Sequence, residues 1–303
     1  MPSLSAAKAS NASVTFPYRP VALFVGGTAG IGQGIAEVFA RHTKGNAHII
    51  LCGRNENAAK KIIATFPKTA TSKYEFLYCD AAKLKNVAEA VRTLKTDHGI
   101  SKLNYLVLSQ GYFAPKAPFY DNGEGLDEFI SLAIYSRFKF IDDLLPLLQA
   151  AKDSDEEGRV MSVLAAGHGG PVDMDDIGFK KSDGHKRRMS EGPTYVSAAV
   201  EAYAKRNPGI SFTHCFPGPV KTNIKPPPGI LWATANWLFT PLKMSATDCG
   251  EWQLSALLNP TMANGAFHTD HHAEPYPAQK LYLNDEVNEA VYNHLMETFA
   301  AKK

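Results

Sequence analysis

A glycine-rich turn between an apolar run and an amphipathic segment constrains this chain more than any other feature. Val21-Ala22-Leu23-Phe24-Val25 runs straight into Gly26-Gly27-Thr28-Ala29-Gly30-Ile31-Gly32, and residues 31–42 then carry apolar side chains at three- and four-residue steps. Glycine lets the backbone turn tightly where a buried strand gives way to a helix. It also lets main-chain amides come close to a pyrophosphate, whose charge is held at the helix N-terminus. A turn without a ligand is the plainer alternative. The position of this turn, at the head of a long alternating pattern, favours the phosphate cradle.

Short apolar runs recur at residues 47–51, 74–79, 103–109, 159–164 and 210–215, separated by segments of helical period at 58–66, 87–98 and 126–149. The runs show little in–out alternation, as parallel strands covered on both faces require. The expected fold is therefore α/β: a doubly wound, Rossmann-type parallel sheet with helices on both faces. Residues 1–20, rich in Ala and Ser, read as a loose extension, and residues 21–303 as one dinucleotide-binding domain. They have neither the continuous apolar core of a signal peptide nor the arginine-rich face of a transit peptide.

With 45% hydrophobic residues and a formal net charge of +2, the composition excludes a disordered chain and argues against a nucleic-acid binder. No segment approaches the ~20 apolar residues of a membrane-spanning helix. Cys52, Cys79, Cys215 and Cys249 are too widely spaced for a zinc ribbon or a redox pair, so a reducing, cytoplasmic setting is expected.

The second apolar run ends Leu51-Cys52-Gly53-Arg54-Asn55. An NAD site would place Asp or Glu here to accept hydrogen bonds from the ribose hydroxyls. Arg54 instead offers a charged planar fork suited to a 2′-phosphate, which points to NADP(H); an exposed loop arginine is the plainer alternative.

In its spacing the glycine turn resembles the Gly-x-x-x-Gly-x-Gly signature of short-chain dehydrogenases/reductases, with Gly26, Gly30 and Gly32 in the three glycine places. The likeness extends from about Val21 to Thr222, although Val25 stands where the family usually has threonine. It implies a coenzyme site that includes Gly27, Thr28 and Ile31 of the turn. Asp80, followed by Ala81, takes the place of the family's adenine-contacting aspartate; its plainer role is a helix cap. Ser109-Gln110-Gly111 matches the family's Asn-Asn-Ala-Gly only in its glycine. Pro217-Gly218-Pro219-Val220-Lys221-Thr222 fits the segment that lies near the nicotinamide amide in relatives.

The resemblance also implies a serine, a tyrosine with a lysine four residues on, and an asparagine, and each position is altered. The serine place falls at Ala165 and the asparagine place at Ala133. Tyr195 looks like the tyrosine, but Ala199 stands where lysine should be, and a count back from residues 209–210 puts the family tyrosine near Arg187. Gly192-Pro193 suggests that the helix starts late, with proline in its first turn. Tyr135 with Lys139 and Tyr276 with Lys280 also spell Tyr-x-x-x-Lys. The first tyrosine is expected to face a neighbouring helix, with Arg137 closer to the site, and the second pair lies in a proline-broken loop; both read as decoys. The candidate catalytic residues are Tyr195 and His168, the latter because imidazole titrates in the useful range. An exposed loop histidine is the plainer reading of His168.

Three other features are weighed. Lys180-Lys181 with His185-Lys186-Arg187-Arg188 reads as a solvated active-site flap. His268, Asp270, His271, His272 and Glu274 suit a metal by type but lie in one turn without helical spacing, so no metal is expected. Residues 224–258, rich in Trp and Phe, read as a lid over a small apolar substrate, with core packing as the plainer alternative. Two functions are consistent with all this. One is an NADP(H)-dependent oxidoreductase with a rearranged acid–base group, acting on an apolar carbonyl or alkene in specialised metabolism. The other is a non-redox cyclase, isomerase, lyase or cofactor binder on the same scaffold. The resemblance allows a homodimer through the helix at 126–149.

Overall fold

The computed structural model describes residues 3–112, 119–181, 184–222 and 243–302, with the backbone alone for 184–186. Seven strands form one sheet, β1 (Val21–Val25), β2 (His48–Gly53), β3 (Lys73–Tyr78), β4 (Tyr105–Leu108), β5 (Arg159–Val163), β6 (Ser211–Cys215) and β7 (Gly265–Thr269), in the order β3-β2-β1-β4-β5-β6-β7. Every pairing is parallel. The order reverses between β1 and β4, which is the switch point where this architecture opens a crevice at the carboxyl ends of its strands.

Alternate residues of each strand serve opposite faces, so the two faces carry separate cores. Leu23, Val25, Ile50, Leu106, Val160 and Phe212 join one cluster, and Ala22, Phe24, Ile49, Leu51, Val107 and Met161 the other. The first is covered by α4 (Leu84–Thr96), α6 (Ser136–Lys152), α7 (Gly184–Arg206) and α9 (Asp285–Ala300). The second is covered chiefly by α2 (Gly30–His42), α3 (Glu56–Ala64) and α8 (Ala246–Leu257). A short α5 (Glu128–Ile130) leads through a π-helical turn, Ser131–Tyr135, into α6. No described helix is long and apolar enough to cross a membrane.

The structure corrects four expectations. Residues 4–13 are not loose: they form α1 (Leu4–Ser13), whose buried Asn11 donates through Nδ2 to the main-chain oxygen and to Oε2 of Glu251, both at 2.8 Å. In the expected lid, residues 224–242 lie outside the described residues, and 246–257 are a core helix with Cys249, Trp252 and Leu254 buried, Leu254 in the core of the second sheet face and Trp252 on His272. Helix α7 starts at Gly184, so Pro193 sits in its interior rather than its first turn. The expected solvated flap is exposed at Lys180 and Lys181 but not at Arg187 and Arg188, and the side chains of 182–186 lie outside the described residues. Arg187 is ion-paired with Asp173, Asp176 and Glu191, and Arg188 with Asp127, because an acidic loop packs beside it.

Candidate active site

Loops at the carboxyl ends of β1, β4 and β6 converge on the glycine turn. Gly26 and Gly30 have φ of 79° and 58°, in the region that side chains disfavour. A Cβ on Gly32 would stand 2.2 Å from Ser109 Oγ and 2.6 Å from the Gly26 oxygen, so α2 rests directly on the turn. Ser109 in turn donates to the Val25 oxygen at 3.0 Å. Thr222 closes the far side, its methyl carbon 3.3 Å from where a Cβ on Gly30 would be. Ala29, the N-cap of α2, has no side-chain acceptor to offer, and the first amides of a helix have no partner within it. An uncapped helix start behind a glycine turn fits a diphosphate.

Arg54 follows β2, whose last residue, Gly53, lies against Thr28: a Cβ there would be 2.9 Å from Thr28 Oγ1. The Arg54 side chain is exposed and makes no ion pair or hydrogen bond among the described residues. Asp80 accepts from the Ala82 amide at 3.4 Å, beside the buried Ala81, but does not cap α4, whose N-cap is Lys83 and whose first amides, of Leu84 and Lys85, donate to Glu124. Gln110 donates through Nε2 to Ser136 Oγ at 3.0 Å and leaves Oε1 buried without a partner among the described residues.

Arg137 forms the floor of this edge, as its spacing from Ala133 suggests. It is fully buried, donating to the main-chain oxygens of Ala133 (2.7 Å), Leu108 (2.5 Å) and Gln110 (2.7 Å) and to Ser162 Oγ (3.1 Å). Burial lowers its pKa to about 10, which leaves it a cation at neutral pH. The π turn brings the Ala133 carbonyl onto this guanidinium. Beside it, the Ala165 amide donates to Nε2 of the buried His214 at 3.3 Å. Since Nε2 accepts, the proton is assigned to Nδ1, which donates to Ser197 Oγ at 2.8 Å.

Tyr195 does not face this edge, which corrects its assignment as proton donor. It is wholly buried with no partner for its hydroxyl among the described residues, its ring packed with Tyr135, Phe179 and His294. Burial holds its hydroxyl well above the usual tyrosine range. The interior position of Pro193 accounts for this: α7 is already formed when it reaches Tyr195, and that residue meets the π turn and α9. Tyr135 likewise turns to α9, its hydroxyl 3.0 Å from His294 Nε2, and Lys139 pairs with Asp143. Arg187, at the position counted back for the family tyrosine, is committed to its acidic partners.

His168 stays at the edge. Its ring lies 4.0 Å from that of Phe216, which precedes Pro217-Gly218, and its Nε2 is 3.1 Å from the Tyr276 hydroxyl. Burial first, and then Lys280, lower its pKa. His271 packs against Gly218, where a Cβ would be 2.9 Å from its own Cβ. Sequence reasoning dismissed Tyr276, because its approach to His168 depends on a chain reversal after β7 that has no periodic signature. Asp270, His271 and His272 bring one donor atom each within 4.8 Å of one another, the one such group among the described residues. Asp270 Oδ1 already accepts from the His272 and Glu274 amides.

A family model described as short chain dehydrogenase matches residues 20–170. Oxidoreductase AN1596 of Emericella nidulans is 31% identical over 255 residues, covering 83% of this chain and 74% of that one. The human polyprenol dehydrogenase is 24% identical over 295 residues, covering 93% of this chain and 86% of its own. Among solved structures, the Pseudomonas aeruginosa RhlG/NADP active-site complex superposes with a TM-score of 0.59 at 16% identity, over 85% of this chain and 98% of that one. The glycine turn, the parallel order of the strands and these matches agree: the chain belongs to the short-chain dehydrogenase/reductase family, whose members bind nicotinamide coenzymes.

Proposed function

We propose that this protein is an NADP(H)-dependent oxidoreductase that acts on an apolar carbonyl or alkene with a non-standard acid–base group. The observation that carries the coenzyme choice is Arg54: an exposed guanidinium without a partner among the described residues, at the end of β2, where a ribose-binding acid would otherwise stand. The residues that would hold the coenzyme are Gly26 to Gly32, Arg54, Asp80, Ala81, Ser109 to Gly111, and Pro217, Gly218, Val220 and Thr222. When bound, a reduced nicotinamide supplies a hydride; the protein's part is to orient the acceptor and move a proton. An apolar substrate is supported by the exposed Tyr112, Phe119, Tyr120 and Met174 and by the name of the human relative. A non-redox activity on the same scaffold is the second reading, favoured by Ala133 and Ala165, which offer no side-chain donor.

Fluorescence titration with NADPH and NADH tests the coenzyme, and absorbance of the reduced nicotinamide over a panel of apolar ketones and enones tests the reaction. Loss of a charge-assisted contact worth about 1.5–3 kcal/mol should weaken NADPH binding by roughly 10- to 100-fold in Arg54→Ala and leave NADH nearly unchanged. Tighter binding of NADH by the unaltered protein would overturn the choice of coenzyme. Substrate conversion without a change in nicotinamide redox state would favour the second reading.

A further inference from the structure

The chain reverses after β7. The Asp270 amide donates to the Glu274 oxygen and the Tyr276 amide to the His268 oxygen, both at 2.8 Å, so residues 270–276 fold back along this edge strand. The reversal lays the Tyr276 ring on Gly167, where a Cβ would stand 2.7 Å from Cδ1; Gly167, with φ 72°, leaves that space free. The ring thus arrives just beyond β5, beside His168, Phe216 and the Pro217-Gly218 loop. Lys280, in the 3-10 turn Ala278–Lys280, sets its ammonium 5.9 Å from the Tyr276 ring centroid. The pair dismissed as a decoy in the sequence therefore stands at the sheet edge that holds the other candidate groups.

We propose that the Tyr276 hydroxyl, hydrogen-bonded to His168, is the proton donor of this enzyme, with Lys280 supporting the charge it leaves behind. The proposal rests on the oxidoreductase reading above. In carbonyl reduction the carbonyl carbon gains a hydride, with its electron pair, from the reduced nicotinamide, and the oxygen becomes an alkoxide. Tyr276 Oη gives its proton to that oxygen and takes one from His168 Nε2 as a solvent proton arrives at Nδ1 of the exposed ring, so the imidazole relays a proton without becoming an anion. Charge and atoms balance: one carbonyl, one hydride and one solvent proton give one alcohol. Burial, and then Asp270, hold Tyr276 protonated, so the donor form is present across the neutral range. An alkoxide is a stronger base than a tyrosinate, so the transfer runs downhill despite that raised pKa. Tyr195, without a route to the edge, has no comparable geometry.

The test compares the unaltered protein with Tyr276→Phe and His168→Gln in three measurements. NADPH affinity by fluorescence titration should stay within about twofold, while kcat on an apolar ketone falls about 100-fold or more in Tyr276→Phe, the scale of lost general acid catalysis. The side-chain ¹⁵N resonances of His168 should move in Tyr276→Phe without any coenzyme present, reporting the hydrogen bond directly. A Tyr276→Phe protein that binds NADPH and turns over within about threefold of the unaltered enzyme would overturn the proposal, and so would an unmoved His168 resonance. If Tyr276→Phe does not fold, His168→Gln decides by the same kcat comparison, an unaltered kcat removing the relay. Failure of the unaltered protein to bind NADPH or oxidise it would instead bring down the reading beneath, which separates the two failures.

Discussion

His214 shows how a single buried residue ties the active-site edge to the acid stability of the fold. With Nε2 accepting from Ala165 and Nδ1 donating to Ser197, it must remain neutral, and burial holds its pKa well below 6.5. An unfolded His214 takes up a proton below about pH 6.5 and the folded one does not, so its contribution to stability is complete above that pH and is lost as pH falls. Urea unfolding should therefore weaken by up to about 1.4 kcal/mol per pH unit from this residue alone between about pH 6.5 and 5, and His214→Gln should flatten the slope. An unchanged slope in the variant would assign the acid sensitivity elsewhere. Residues differ in how openly the sequence declares them. Arg137 was legible because helical spacing places it on the face of Ala133. The pairing of Tyr276 with His168 was not, since it joins residues 108 positions apart through a turn held by main-chain hydrogen bonds.

Among the elements, six of the seven strands were legible because buried parallel strands are written as apolar runs. β7 was not: Gly265-Ala266-Phe267-His268-Thr269 at the sheet edge carries mixed polarity that reads as loop. Proline misled at α7, where Pro193 marks the interior and not the start. α1 and α8 were hidden for a different reason: their partners lie far away in sequence. Gly34 of α2 and Gly250 of α8 meet backbone to backbone, a Cβ on Gly34 falling 2.1 Å from the Ala246 oxygen and one on Gly250 falling 2.5 Å from the Gly34 oxygen. This contact holds α8 on the helix that begins at the glycine turn, and Glu251 then gathers Asn11, Arg41 and His42 around one buried carboxylate. Gly250→Ala should separate the two helices and cost about 1–3 kcal/mol, read as a lower melting temperature. A melting temperature equal to that of the unaltered protein would show that the helices part without strain.

At the scale of the whole molecule, the last helix covers α7 and reaches the start of the helix at 126–149. α9 lays Val287, Val291, Leu295 and Phe299 into the core formed with α6 and α7, with His294 on Tyr135, Phe299 beneath the Lys139 ammonium and Tyr292 between Tyr203 and Arg206. Leu295→Arg should free the face, and light scattering on a sizing column should then show association absent from the unaltered chain. The covering segment is fastened to the surface it covers, so its effective concentration is set by the tether and not by how much protein is in the tube. Mass action has no hold on such a contact: the midpoint of thermal unfolding should be the same across about a 100-fold dilution, whereas a midpoint that climbs with concentration would reveal a partner the fold depends on.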